Sequence, residues 1–243
     1  MHGPVFGEFL GTLVLILLGD GVVAGVLLNK SKGQNSGWIV ITAAWGFAVV
    51  CGIFTSLAVG GIAHLNCAVT FALALAGATP WAQVPGLVVA QFAGAFVGAM
   101  LVWLAYLPHW AETSDKGLKL AVFCTGPAIR NLPLNLVTEI IGTAMLVIIG
   151  FSLGSKGVSP TGLPAGYSPF MWGIVVWSIG MSLGGPTGYA INPNRDLGPR
   201  IAHFVLPIAG KGDSDWGYAL VPVIGPLIGA GIGSVICKAT GIL

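Results

Sequence analysis

The residues of this chain whose types and spacing best suit chemistry are two asparagines, Asn66 and Asn192. They stand in the stretches His64-Leu65-Asn66-Cys67-Ala68-Val69-Thr70 and Tyr189-Ala190-Ile191-Asn192-Pro193-Asn194-Arg195-Asp196, each between a Gly-rich hydrophobic approach and a short apolar run. Asparagine is favoured at helix N-caps, where its oxygen accepts a backbone N–H of the next turn and its amide N–H groups remain able to donate. The runs they open, 66–76 and 192–205, are shorter than the roughly 20 residues needed to cross a bilayer, so they predict half-helices. Arg195 and Asp196 follow the second asparagine directly, and Glu8 and Glu139 fall within long apolar stretches.

The elements that must position these residues are membrane helices. Of 243 residues, 55% are hydrophobic and only 7% charged, which excludes an ordinary solvated surface and puts the chain in a lipid bilayer. The formal net charge of +2 supports neither a nucleic-acid partner nor a polybasic membrane tether. Cys51, Cys67, Cys124 and Cys237 are scattered without disulfide or metal-ligand spacing, so no metal or other cofactor is expected. No nucleophile–base set is visible, which argues against an enzyme. The first apolar stretch holds Glu8 and Asp20 and lacks a small-residue cleavage site, so it reads as a retained span.

Six stretches are long and apolar enough to span: about 5–28, 37–59, 84–107, 132–153, 166–183 and 216–237. The chain is internally duplicated. Gly7-Glu8-Phe9-Leu10-Gly11-Thr12 resembles Thr138-Glu139-Ile140-Ile141-Gly142-Thr143, Trp45-Gly46 matches Trp172-Gly173, and Asn66 matches Asn192. Gly94-Ala95-Phe96-Val97-Gly98-Ala99 is aligned with Gly225-Pro226-Leu227-Ile228-Gly229-Ala230. These landmarks place one repeat at about 1–107 and the other at about 132–243, joined by a polar stretch at about 108–131, within a single domain over 1–243. Three spans per repeat is an odd number, so the second copy enters from the opposite face and the repeats are inverted. The expected fold is all-α, with six transmembrane helices and two re-entrant half-helices whose N-termini meet near the midplane.

That geometry predicts a pore. Non-helical backbone at membrane depth is tolerated where it is buried or lines water. Two half-helix N-termini, each carrying roughly half a positive charge, oppose cations and hydronium at their meeting point. Asparagine amides there can donate to the oxygens of a neutral hydroxylated solute. Inverted repeats with broken helices also occur in secondary transporters, which is the alternative from another class. Glu8 and Glu139 admit two readings, proton carriers or braces for the re-entrant loops; their shared register favours braces.

On the paired asparagine signatures, the two glutamates and the Arg195-Asp196 pair, the chain resembles the aquaporin and glycerol-facilitator family over its whole length, and its aquaglyceroporin branch most closely. The resemblance implies a homotetramer with a pore in each subunit, lying in the plasma membrane with both termini cytoplasmic. It implies that Asn66 and Asn192 are the pore asparagines. Carbonyls of Ile62, Ala63, His64, Gly188, Tyr189 and Ala190 are implied to form an acceptor ladder. Trp45, Gly180, Tyr189 and Arg195 are implied to form the outward constriction, with Asp196 matching the glycerol-conducting pattern. Glycine at 180, where water-selective members carry histidine, is expected to leave an open lateral wall suited to glycerol and other small polyols, with water and protonated small acids such as lactic acid also permeant. A mainly water-selective pore is the alternative within the family. Bland readings stand beside these: Arg195 and Arg200 as interfacial anchors, Trp45 and Tyr189 as helix packing, His64 as a loop brace. Two positions depart from the family's Asn-Pro-Ala, namely Cys67 in the first motif and Asn194 in the second. Asn194 is bulkier than alanine and needs a hydrogen-bond partner, so a reshaped midplane is expected. The short-loop charge bias opposes the implied orientation, because Lys30, Lys32, Lys116, Lys119, Arg130 and Lys211 would lie outside.

Overall fold

The computed structural model describes residues 2–243, and those residues form helices and connecting segments with no strand among them. The first half contains α1 (Pro4–Leu27), α2 (Trp38–Ala58), α3 (Cys67–Leu75) and α4 (Val84–Ala105), with a single 3-10 turn, Trp81–Gln83, before α4. The join contains α5 (His109–Glu112) and α6 (Lys116–Phe123), and the second half repeats the pattern with α7 (Leu132–Gly154), α8 (Ser168–Leu183), α9 (Pro193–Val205) and α10 (Leu220–Ala239). Polar caps mark several helix starts: Asn66, Asp115, Asn131 and Asn192 each accept backbone N–H groups of the turn that follows.

Five helices are long and apolar enough to cross a bilayer. The sixth, α8, has 16 residues, or roughly 24 Å of rise, and ends at Gly184, where the chain turns inward toward α9. Large apolar side chains such as Phe47, Val89, Leu220 and Val235 are exposed, as lipid-facing surfaces require. The join is more ordered than a polar linker. Trp110, Val122 and Phe123 are buried, and α6 packs against both α1 and α9.

Packing obeys the duplication at the level of single atoms. The Trp45 ring lies on Gly19, and the Trp172 ring lies on Gly150, one repeat further on. A Cβ on Gly46 would meet Gly173 O at 2.8 Å, and a Cβ on Gly173 would meet Gly46 O at the same distance, so α2 and α8 cross on a reciprocal glycine pair. The α1–α4 and α7–α10 contacts correct the fourth sequence landmark by one helical turn. Gly94 packs on Phe9 O and Leu13 N, while the residue on the matching Ile140 O and Ala144 N is Gly229, not Gly225. Gly98 on Leu13 O is likewise matched by Gly233 on Ala144 O. In this register Gly225 takes the place of Ala90 and Pro226 the place of Gln91.

Both chain ends fall on one side of the molecule. His2 N donates to Val59 O at the end of α2, and Lys238 Nζ donates to Leu75 O at the end of α3. The half-helix α9 ends on the opposite side, where Lys211 Nζ donates to the carbonyls of His203, Phe204 and Leu206 at 2.6–2.7 Å. A cation there satisfies carbonyls that helix geometry leaves without partners.

Candidate pore and its constriction

The two half-helix tips are fastened to each other by their caps. Asn66 Oδ1 accepts from Ala68 N at 2.8 Å while its Nδ2 donates to Ile191 O at 2.8 Å. Asn192 Oδ1 accepts from Asn194 N at 3.1 Å while its Nδ2 donates to Leu65 O at 2.8 Å. One N–H of each amide is thus committed across the pseudo-two-fold axis, and the second remains for a ligand. Ala63, Leu65, Tyr189 and Ile191 adopt φ between 39° and 56°, a region costly for side-chain-bearing residues. Two buried carboxylates hold that strain. Glu8 accepts from His64 N and Leu65 N at 2.8 and 2.7 Å, and Glu139 accepts from Ala190 N and Ile191 N at 3.0 and 2.9 Å.

The repeats differ around these braces, and the difference explains Asn194. Its Nδ2 donates to Gln91 Oε1 at 2.8 Å, and Gln91 Nε2 donates onward to Glu8 at 2.6 Å and to Thr70 at 2.9 Å. Thr70 Oγ1 also meets His64 Nδ1 at 3.1 Å. Asn194 is 2% exposed, so its amide is spent on a buried network tying α9 to α4 and α1 instead of projecting into the midplane. The Cys67 thiol faces the Asn194 backbone. In the second repeat Pro226 replaces Gln91, and Glu139 takes Thr187 Oγ1 at 2.7 Å as its side-chain donor.

At the other end of this region the Arg195 guanidinium lies over the Trp45 ring, its central carbon 4.0 Å from the ring centroid. Tyr189 closes a third side. A Cβ on Gly180 would sit 2.7 Å from Tyr189 Cζ, so the ring occupies the space that the missing side chain leaves. Gly180 therefore admits Tyr189 and does not itself form wall. Trp38, which sequence reading passed over, fixes the pair: its Nε1 donates to Gly180 O at 3.1 Å and its ring meets Tyr189 edge-on at 5.8 Å. Asp20 was also missed as a partner. It is fully buried in α1 with a carboxylate oxygen 3.7 Å from Arg195 Nη1.

Arg200 is not an interfacial anchor. It is fully buried, donating to Asp196 at 2.8 and 3.1 Å and to the carbonyls of Ser214, Asp215 and Thr125. Asp196 also accepts from Thr125 N and Oγ1 at 2.8 and 2.7 Å. The pair locks the first turns of α9 to the join and so fixes the base from which Arg195 projects.

A cavity of about 970 Å³ runs from the side holding the termini, past Ile62, Ala63, His64, Asn66 and Asn192, to Trp45, Tyr189, Ala190 and Arg195. Gly180 and Gly188 do not line it; Gly188 lies behind, against Thr125. The inverted copy of the Trp45–Arg195 pair is Trp172 with Val69, and both of those residues line the open part of the cavity. The neck thus draws Trp45 from one repeat and Tyr189 and Arg195 from the other, while the inverted counterparts Val69 and Trp172 line a more apolar vestibule.

Comparison with known proteins agrees with this geometry. The family model described as Major intrinsic protein matches residues 2–237. The chain is 59% identical, over 93% of its length and 94% of the relative's, to a protein of Thermotoga maritima named probable glycerol uptake facilitator protein. It is 54% identical to glycerol uptake facilitator protein 3 of Lactiplantibacillus plantarum, over 96% of this chain and 94% of that one. The X-ray structure of the aquaglyceroporin from Plasmodium falciparum superposes with a TM-score of 0.85 at 28% identity, covering 98% of each chain. With the family model matched over nearly the whole length and these relatives covered end to end, the chain belongs to the major intrinsic protein family.

Proposed function

We propose that this protein is a passive channel that admits glycerol and other small neutral polyols, with water, and is not an enzyme. The observation that carries the reading is the neck of Trp45, Tyr189 and Arg195 at the end of a cavity whose middle holds the two asparagine tips. Aromatic faces suit the carbon side of a polyol, and the guanidinium fork suits its hydroxyl oxygens. Past the neck, a solute meets the free amide N–H groups of Asn66 and Asn192, beside the bent backbone of residues 62–64 and 189–190. The same neck takes a protonated hydroxy acid such as lactic acid, which has a similar size and similar oxygens. The names of the relatives from Thermotoga and Lactiplantibacillus support glycerol as the principal solute.

Opposed half-helix ends set the ion barrier in this reading, because a cation must approach two positive dipole ends at once. The protein works in a lipid bilayer as a homotetramer, with the neck facing outward and both termini in the cytoplasm of a cell whose plasma membrane holds it. The short-loop charge bias runs against that orientation, which rests instead on the placement of Arg195 in the outward neck. On that side Arg130 pairs with Asp215, Lys30 pairs with Glu112, Lys119 binds Ala209 O, and Lys211 caps α9.

Purified protein in lipid vesicles tests the reading by light scattering under a glycerol gradient. Accelerated, non-saturating glycerol equilibration without ionic current is expected. Saturation with counterflow would point to a carrier, and flux at the protein-free level would remove the assignment.

A further inference from the structure

Asp20 is a buried carboxylate that the channel reading leaves unexplained. It is 0% exposed, and neither of its oxygens accepts a hydrogen bond. A charge taken out of water is strongly destabilising unless it is compensated. The cation beside it is Arg195, with Nη1 3.7 Å away. The other nearby charge, Asp196, is committed to Arg200 and Thr125. Arg195, for its part, finds no protein acceptor for its guanidinium N–H groups among the described residues, so the Asp20 charge and the Trp45 face are what hold it. The position inverted from Asp20 is Phe151 and the one inverted from Arg195 is Val69, so the acid–arginine pair joins the two repeats at the neck and an apolar pair takes its place at the vestibule.

We propose that Asp20 is the counter-ion of the constriction arginine and a specificity-determining residue of the channel. The carboxylate draws the guanidinium toward α1 and over the Trp45 ring, and it brings the net charge of the neck close to zero. A neck so compensated offers N–H donors to neutral oxygens without concentrating anions. Remove the acid and the guanidinium becomes an uncovered cation at the narrowest point, where a small planar carboxylate can lodge by paired N–H···O bonds. The inference rests on the reading of Arg195 as part of the neck.

Formate is a suitable probe, and the test is glycerol flux at neutral pH through the full chain in vesicles, with and without sodium formate against a sulfate control of equal ionic strength. Parent protein should be indifferent to formate. Asp20→Asn should bind formate on the order of tenfold more tightly and show flux blocked accordingly. Asp20→Asn with Arg195→Gln should be indifferent again, because the site of the anion is gone. An Asp20→Asn protein that passes glycerol with no formate sensitivity overturns the proposal. If the single variants fail to insert, the yield and thermal midpoint of folded protein are read instead. The pairing predicts that the double variant recovers relative to either single one, and a double variant no better than the worse single one overturns it. Parent vesicles without glycerol flux would sink the channel reading instead, while the stability cycle still judges the pair.

Discussion

Replacing Gly180 by alanine adds one carbon where the Tyr189 ring already lies. The new Cβ would stand 2.7 Å from Cζ, 2.9 Å from Cε2 and 3.0 Å from the hydroxyl. Ordinary carbon contacts are about 3.5–4.0 Å, so the ring must retreat by roughly 1 Å. Trp38 stands edge-on to it, and Gly184 is close beside Cδ1, which leaves the cavity as the direction of retreat. Overpacking of this kind costs about 1–3 kcal/mol. If that cost falls on the neck as an added barrier, glycerol flux drops by roughly 5- to 150-fold, since about 1.4 kcal/mol is a factor of ten. Water needs less width and should lose less. Gly180→His adds a whole ring to the same crowded place and should be more severe in the same direction. The assay is the rate of vesicle shrinkage under glycerol and sucrose gradients, normalised to inserted protein. Gly180→Ala combined with Tyr189→Leu should recover much of the glycerol flux, because the obstructing ring is gone. A normally inserted Gly180→Ala protein that passes glycerol within a factor of two of the parent would refute the argument that Tyr189 lies between Gly180 and the lumen.

Other expectations concern the supports of the pore. Asn194→Ala orphans the buried Oε1 of Gln91, whose other end is held by Glu8 and Thr70, and should cost about 1–3 kcal/mol, read as a lower thermal midpoint in detergent. Arg200→Ala leaves Asp196 buried without its cation and should destabilise by about 3–5 kcal/mol, to the point of poor folded yield, with Arg200→Lys less severe. Lys211→Met removes a charged donor from three carbonyls at the end of α9 and should lower the thermal midpoint by an amount equivalent to about 1.5–3 kcal/mol while leaving the neck residues in place, so flux per folded protein stays near the parent value.

The helix order was legible because sustained hydropathy needs no partner to be recognised, and the spans read from it agree with the structure to within a few residues at most ends. The half-helices were legible from their caps. Two kinds of feature were not. Glycines recur at every fourth position of α10, at Gly225, Gly229 and Gly233, so a Gly-x-x-x-Gly pattern slides by one turn without penalty until the atoms of α7 are placed against it. Polar pairings across the bundle carry no local signal. Asp20 with Arg195, Asn194 with Gln91, and Arg200 with Thr125 join residues far apart in the chain, and only the packed structure says which buried polar group meets which. Arg200 shows the cost: by composition it suits a headgroup anchor, yet its five donors are all turned inward.

The most direct measurement of the central claim is glycerol flux through the purified protein in vesicles, recorded together with ionic current across a planar bilayer. The account predicts glycerol equilibration well above the protein-free rate, rising linearly with the gradient, and no current attributable to the protein. Glycerol equilibration at the protein-free rate, or flux that saturates and is accompanied by current, would contradict it.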